Sequence, residues 1–236
     1  MTIRAITFDF WQTLFQEDGH HPDRMLRRIR AFSEATGVSE EEATKAHTAA
    51  TDEFFRTHIE EQRNLGPRDG VRLMCAACGA EVDGDTAEEL AEVFGTAILE
   101  HPPVPIDGAL EAVQAAAAEY PIALVCDSGM SPGSSLRVLL ERHGFTPYFR
   151  ALTFSDEVGV SKPQAAMFET AAKAVGVTPE ETMHIGDLEP TDIAGALGVG
   201  ATAALFAGAN PKYLATTKAH HTFTHWHEFL RLLPEL

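Results

Sequence analysis

Residues 3–14, with the sequence IRAITFDFWQTL, form an apolar run of β-favouring residues that ends in a carboxylate. The run predicts a buried parallel strand with Asp9 at its carboxyl end. A carboxylate is costly to bury there unless it has a function. Ligands of open α/β sheets also bind at that edge. We therefore predict that Asp9 is a catalytic residue.

The chain changes its pattern twice after this run. From Phe15 to about residue 100, apolar side chains recur at helical spacing, which predicts a helical segment. Within it, Ser39 and Glu42 have the spacing of a capping box, and Gly37 is typical of the preceding helix stop. Residues 101–110, HPPVPIDGAL, are rich in proline and predict a linker and a turn.

Strand and helix patterns alternate in the remainder of the chain, which predicts a parallel sheet with helices on both faces. Because the first strand has no partner before residue 122, the helical segment is an insertion. The fold class is therefore α/β: a Rossmann-like sheet domain of residues 1–15 and 101–236, with an inserted all-helical cap domain of residues 16–100 as a lid over the carboxyl edge. Strands are predicted at 122–126, 151–154, 182–185 and 201–206, and helices at 108–119, 134–143, 165–175 and 192–197.

Charge and hydropathy limit the partners. Among 236 residues, 18 basic and 35 acidic side chains give a formal charge of −17, which argues against binding nucleic acid over a wide surface. A small anionic substrate is compatible with this charge if its pocket supplies a lysine, a metal or a helix N-terminus. No apolar run is long enough for a bilayer, and Asp9 interrupts the first one too early for a signal peptide. We expect a cytoplasmic monomer or homodimer without membrane contact.

Two groups of metal-binding residue types have simpler interpretations. Cys75 and Cys78 form a C-x-x-C without a second pair, so we predict two buried thiols in a helix. Four histidines near the carboxyl end favour a last strand and an amphipathic helix over a metal site. They are His220, His221, His225 and His227.

Two later stretches carry charged residues suited to chemistry. SDEVGVSKPQAAMF, residues 155–168, places Lys162 in a loop ahead of Pro163, which suits the first position of a helix. MHIGDLEPTD, residues 183–192, ends a strand and continues with Asp187 and Asp192. Such a loop can aim one carboxylate at a metal while the second holds the loop or a water. Ligation by oxygen alone suits magnesium.

Together the three stretches resemble the motifs of the haloacid dehalogenase superfamily, in the order FDxxxTL, SxxxGxxKPxxxxF and hhGDxxxxD, over nearly the whole chain. The resemblance implies that Asp9 attacks phosphorus and forms an aspartyl phosphate that water hydrolyses. It implies Lys162 as the residue that restrains the nucleophile, with Thr13 in the first motif. It also implies Mg²⁺ as cofactor, with these ligands: Asp9, Asp187, Asp192 and the main-chain carbonyl of Trp11.

The second motif departs from the superfamily pattern. After the strand at 122–125, where its members usually have Thr or Ser and then Asn, this chain has Cys126 and Asp127. A thiol is a poor hydrogen-bond donor, so Ser128 is our candidate for the hydroxyl that holds a phosphoryl oxygen. Cys126, Asp127 and Trp11 are then expected to contact the substrate.

Trp11 stands where most phosphatases of the superfamily carry a second Asp, the general acid, whose role is worth roughly two to four orders of magnitude in rate. A phosphatase could then use a good leaving group or an acid from the cap, for which the candidates are Glu17, His20 and His21. A 2-haloacid dehalogenase needs no acid, and those relatives have Tyr at this place. They lack a metal, however, and usually have Ser in place of Asp187.

Two further alternatives stay open. Phosphonoacetaldehyde hydrolases also lack the second Asp and use a cap lysine as a Schiff base, and Lys45 is the only lysine before residue 100. Its neighbours Glu and Ala are more typical of an exposed helix face. A binding protein that has lost catalysis would fit Trp11 and Cys126, but not the retained charged residues. We expect a Mg²⁺-dependent phosphatase of a small phosphorylated metabolite.

Overall fold

The computed structural model describes residues 2–19 and 21–236. Its strands are β1 (Ala5–Phe8), β2 (Phe15–Gln16), β3 (Val104–Pro105), β4 (Ile122–Cys126), β5 (Ala151–Phe154), β6 (Thr182–Gly186), β7 (Thr202–Phe206) and β8 (His221–Phe223). Its α-helices are α1 (His21–Thr36), α2 (Glu40–Glu60), α3 (Pro67–Cys78), α4 (Gly84–Glu100), α5 (Ala109–Glu119), α6 (Gly133–Arg142), α7 (Ser155–Val158), α8 (Ala165–Val175), α9 (Ala194–Gly198) and α10 (Trp226–Leu232).

Strand β1 lies inside a six-stranded parallel sheet of order β5-β4-β1-β6-β7-β8. Ile6 pairs with Ile122 on one side, and Ala5 pairs with Thr182 on the other. The chain runs outward from β1 through β4 to β5, then returns to β6 and continues to β8. Ligands of such sheets bind where the strand order reverses, at the carboxyl ends of the strands. We therefore expect a ligand site at the carboxyl ends of β4, β1 and β6.

The two faces of this sheet bury different side chains, because successive strand residues point to opposite sides. Ala5, Ala123 and Leu205 pack with residues of α8 and α9 in one cluster. On the other face, Phe8 and Phe206 contact the ring of Trp226 in α10, at centroid distances of 5.9 and 4.7 Å. Helices thus cover both faces, and the predicted α/β fold class is confirmed.

A two-stranded ribbon was missed by the sequence analysis. Strand β2 pairs antiparallel with β3, Phe15 with Pro105 and Gln16 with Val104. We predicted a helical pattern from Phe15 onward and a linker at 101–110, so both assignments are wrong at these positions. Strands of two residues are too short to show an alternating pattern, and proline is typical of a turn.

The described residues group into two compact units. The first comprises residues 2–16, Val104–Asp127 and Leu140–Leu236, and contains both sheets. The second comprises Glu17–Pro103 and Ser128–Leu139. Residues 128–139, which we assigned to the sheet domain, fall in the second unit. The role of the helical unit as a lid stays a prediction.

The helical unit has its own core, formed by apolar side chains of α1 to α4, among them Phe32, Ala46, Met74 and Phe94. Helix α2 begins with the predicted capping box, in which Ser39 Oγ accepts from the Glu42 N–H over 3.2 Å and the Ser39 N–H donates to Glu42 Oε2 over 3.2 Å. These reciprocal bonds satisfy main-chain donors that the first turn of a helix leaves unpaired.

Two smaller expectations need correction. Cys75 and Cys78 lie in α3 as predicted, but both are half-buried rather than buried. Pro163 is not the first residue of a helix, because α8 begins at Ala165. No helix of the described residues is both long and apolar enough to cross a bilayer.

Candidate active site

Asp9 directly follows β1 and opens a tight turn. Its N–H donates to Ile185 O of β6 over 2.8 Å, and its side chain is buried. The turn closes because the N–H groups of Leu14 and Phe15 both donate to Phe10 O, over 3.0 and 2.9 Å. Gln12 takes the left-handed conformation that the turn requires, with φ +55°. The carboxylate of Asp9 is thus fixed at the edge where the strand order reverses.

Lys162 forms an ion pair with this carboxylate. Its Nζ lies 2.6 Å from Asp9 Oδ1 and 2.6 Å from Asp192 Oδ1. Lysine in a loop is usually exposed, but this side chain is only 3% exposed. Two short charge-assisted bonds offset the burial of the ammonium group. Lys162 therefore links the end of β1 to the loop after β6.

Asp187 and Asp192 occupy the loop after β6. Asp187 is buried, and its Oδ2 accepts from Asn210 Nδ2 over 2.6 Å. The Leu188 N–H donates to Asp192 Oδ2 over 3.0 Å, which folds the loop onto its own carboxylate. Gly186 permits this approach, since a Cβ there would stand 2.2 Å from Asp192 Cγ.

The three aspartates form one group. Asp9, Asp187 and Asp192 each place a carboxylate oxygen within 4.8 Å of the other two, and all are buried. Lys162 carries the positive charge that contacts this group, against three acidic side chains. A hard divalent cation prefers oxygen ligands and would balance the remaining charge. The donor set therefore fits Mg²⁺.

Burial shapes the protonation of these groups. It raises the pKa of Asp9 well above the usual range, and the charges of Asp192 and Asp187 act in the same direction. Burial, with Asp192 nearby, raises the pKa of Asp187 to about 7. For Asp192 burial acts upward too, but Lys162 and His184 outweigh it and hold the pKa below its usual range. Of the three aspartates, Asp192 is thus the one with the lowest pKa, and it stays ionised.

The predicted second motif falls at the end of β4. Cys126 is buried, and burial together with the charge of Asp9 raises the pKa of its thiol, so it carries no thiolate. Asp127 Oδ1 accepts from the Lys162 N–H over 3.0 Å and so positions the lysine loop. Ser128 is buried and belongs to the helical unit. Its catalytic role stays a prediction.

Thr13 and Trp11 lie in the turn after Asp9. Thr13 is fully buried, and its Oγ1 has no hydrogen-bond partner among the described residues. Its carbonyl accepts from Trp226 Nε1 over 3.3 Å. Trp11 is half-buried, and its ring packs on Phe10 at a centroid distance of 5.0 Å. An indole cannot donate a proton as a carboxylic acid does.

Two residues of the site escaped the sequence analysis. His184, inside β6, bonds to Asp192 Oδ1 through Nε2 over 3.0 Å. Asn210, far along the chain after β7, bonds to Asp187. A polar residue inside an otherwise apolar strand, MHIG, was a signal for His184. Asn210 had none, since Asn before Pro is typical of any turn.

Other residues that the sequence singled out lie elsewhere. Lys45 is exposed and pairs with Glu41 over 2.6 Å, as expected for a helix surface. His221 lies in β8 and His227 in α10, which confirms the strand and the helix predicted for the histidine-rich end. Glu17, His20 and His21 were the candidates for the missing general acid. Glu17 is bound to Arg24, and His21 is the exposed first residue of α1. His20 lies outside the described residues. In residues 2–19 and 21–236, the aspartate group is the one cluster of three candidate metal ligands.

The carboxyl edge of the sheet thus gathers a buried aspartate, a lysine and two further aspartates. The model of the haloacid dehalogenase-like hydrolases matches residues 3–200. The chain belongs to this family, which confirms the resemblance seen in its motifs.

Two phosphatases and one solved structure illustrate the similarity of this chain to other proteins. Glyceraldehyde 3-phosphate phosphatase of Methanopyrus kandleri is 28% identical over 207 residues, 84% of this chain and 81% of that protein. Phosphoserine phosphatase of Thermus thermophilus is 34% identical over 119 residues, 50% of this chain and 46% of that protein. The solved structure of the HAD-hydrolase YfnB from Bacillus subtilis bound to magnesium covers 99% of both chains, with a TM-score of 0.68 and 18% identity, and shows the same fold.

Proposed function

We propose that this hydrolase is a Mg²⁺-dependent phosphatase of a small phosphorylated metabolite. The observation that carries the proposal is the buried group of Asp9, Asp187 and Asp192, whose oxygens lie within 4.8 Å of one another. Such a group suits a phosphatase, which must balance phosphoryl charge, better than a dehalogenase, in which the resemblance implies Ser in place of Asp187. The phosphatases of Methanopyrus kandleri and Thermus thermophilus, and the magnesium of the Bacillus subtilis structure, support the same choice.

Asp9 is the proposed nucleophile. One of its oxygens forms a bond to phosphorus while the bond from phosphorus to the leaving oxygen breaks, and the leaving oxygen keeps the electron pair. Water then attacks the phosphorus of this aspartyl phosphate, which releases phosphate and restores the Asp9 carboxylate. Lys162, 2.6 Å from Asp9 Oδ1, orients the nucleophile and lowers its pKa against the larger, opposite effect of burial.

Asp9, Asp187 and the main-chain carbonyl of Trp11 are the groups that would hold the metal. Asp192 already accepts from Lys162, His184 and the Leu188 N–H, so it orients the loop and the lysine. Bound Mg²⁺ would neutralise charge that develops on the phosphoryl oxygens. Asn210 donates to Asp187 Oδ2 and so fixes the direction of that carboxylate.

Titration calorimetry tests the metal. We expect one Mg²⁺ per chain, binding that Asp187→Ala abolishes, and hydrolysis of an aryl phosphate that a chelator stops. Glu189→Gln is the matched control, since Glu189 lies in the same loop but binds Thr217 instead of the aspartate group. If the wild type bound no Mg²⁺, or Asp187→Ala bound it equally well, the phosphatase proposal would be wrong, and hydrolysis of 2-haloacids should be measured instead.

A second experiment tests the nucleophile. Asp9→Asn removes the charge of the attacking oxygen and a metal ligand, so turnover should fall to background while circular dichroism shows the wild-type fold. Asp107→Asn is the control, because it makes the same replacement at an exposed aspartate in the turn before α5. Retention of most activity in Asp9→Asn would exclude the covalent mechanism and favour a binding role.

A further inference from the structure

The helical unit buries three basic side chains close together. Arg24 and Arg28 lie one turn apart on α1, and His47 lies on α2. They are 4%, 9% and 5% exposed. Arginine is almost never buried to this degree unless it is paired with an acid. In a chain whose formal charge is −17, such a group of basic residues is unexpected.

The hydrogen bonds of this basic group are incomplete. Arg24 is paired with Glu17, and Arg28 Nε donates to the Phe94 carbonyl of α4 over 3.0 Å. Arg28 Nη2, however, has no hydrogen-bond partner among the residues that the structure describes. The same holds for His47 Nε2 within residues 2–19 and 21–236. Native proteins rarely leave such buried donors unpaired.

Electrostatics agrees with this geometry. Burial and the charge of Arg24 lower the pKa of Arg28 to about 10, while Glu17 acts against them. Burial and the charge of Arg28 lower the pKa of His47 to about 4. Both shifts arise where positive charge exceeds negative charge. The basic group therefore lacks one anionic partner.

We propose that Arg28 and His47 bind a small oxyanion, a carboxylate or phosphate group, between α1, α2 and α4 of the helical unit. The planar guanidinium of Arg28 matches the oxygens of either group, and His47 Nε2 donates when it carries a proton. The oxyanion is a free anion held within the helical unit. The site itself does not depend on the phosphatase activity.

Thermal unfolding of metal-free protein tests the site. Without metal, the three aspartates near Lys162 repel anions, so binding reports on the basic group. We expect 20 mM inorganic phosphate to raise the Tm of the wild type by several degrees above chloride at equal ionic strength. The increase should be lost in Arg28→Met and reduced in His47→Gln. Arg27→Met is the matched control, since Arg27 pairs with Glu100 at the surface, and it should keep the full increase.

Two results would overturn the proposal: no phosphate-dependent increase in the wild type, or an equal increase in Arg28→Met. If Arg28→Met does not fold, His47→Gln and the ¹⁵N resonance of the His47 ring decide. That resonance should shift on addition of phosphate, and its failure to shift contradicts the site.

Discussion

Nε2 of His184 lies 3.0 Å from Oδ1 of Asp192, and both side chains are buried. An ionised carboxylate only accepts hydrogen bonds, so Nε2 carries the proton and Nδ1 accepts from Thr7 Oγ1 over 2.9 Å. Burial lowers the pKa of His184, which keeps the ring neutral. A neutral imidazole thus orients the carboxylate that also binds Lys162.

His184→Leu should destabilise the protein by about 1.5–3 kcal/mol, because it removes a buried hydrogen bond to a charged acceptor. Thr7→Val removes the bond on the other side of the ring and should cost about 1 kcal/mol, since only neutral groups lose a partner. Urea denaturation of both variants measures the difference. Equal losses of unfolding free energy in the two variants would show that the bond to Asp192 contributes no more than the bond to Thr7.

Asn210→Leu should weaken Mg²⁺ binding roughly 10- to 100-fold, because ligands that lose their supporting hydrogen bonds are less well oriented. Lys212→Met, two residues away on the same loop, should leave the affinity unchanged, since its ammonium group lies over the Tyr213 ring. Calorimetry compares the two variants. An affinity in Asn210→Leu equal to that of the control would contradict a supporting role for Asn210.

The leaving group should matter more in this enzyme than in relatives with a second Asp. Because the indole of Trp11 cannot protonate the departing oxygen, kcat should rise steeply as the pKa of the leaving alcohol falls. Aryl and acyl phosphates should therefore exceed sugar phosphates as substrates. A series of substituted phenyl phosphates measures the slope, with chemistry shown to be rate-limiting.

Trp11→Asp should reduce this slope, because it supplies a carboxylic acid at the same position. Trp11→Phe is the control, since it keeps an aromatic ring beside Phe10 and adds no acid. A flat dependence in the wild type would mean that another residue supplies the proton. Glu17, His20 and His21 would then be replaced in turn.

Stability should fall with acidity through His47. Its pKa is lowered from 6.5 to about 4, so between these values the unfolded chain binds a proton that the folded chain does not. The contribution of His47 to the free energy of unfolding is therefore fully present above pH 6.5. It decreases towards pH 4, by roughly 3 kcal/mol. Denaturation in buffers without multivalent anions should show a smaller decrease in His47→Gln. The exposed His225→Gln should follow the wild type, and an identical decrease in His47→Gln would exclude this origin.

The alternation of strands and helices was enough to predict the large sheet, because most of its strands have four or five mainly apolar residues. Strand β5 was predicted at its observed bounds, and β4 likewise. The ribbon of β2 and β3 was missed, since its pairing depends on residues 15 and 105 meeting in space. Two-residue strands carry too little pattern of their own.

The site was predictable to the extent that its residues lie in local motifs. Asp9, Lys162, Asp187 and Asp192 follow apolar strands or stand in short loops, and the structure brings them together. The hydrogen bond from Asn210 to Asp187 comes from the loop after β7. No local sequence pattern predicts it. The unpaired donors of Arg28 and His47 depend on the packing of three helices, so only the structure shows them.

The central position of β1 determines when the sheet can form during synthesis. Its neighbours are β4 and β6, and Thr7 meets His184 across 177 positions of the chain. Strand β1 therefore stays unpaired until residues 122–126 and then 182–186 have followed it. Contacts of such long sequence separation slow folding and prolong the exposure of strand edges. The edges of β1 thus stay open to aggregation until β6 has been synthesised.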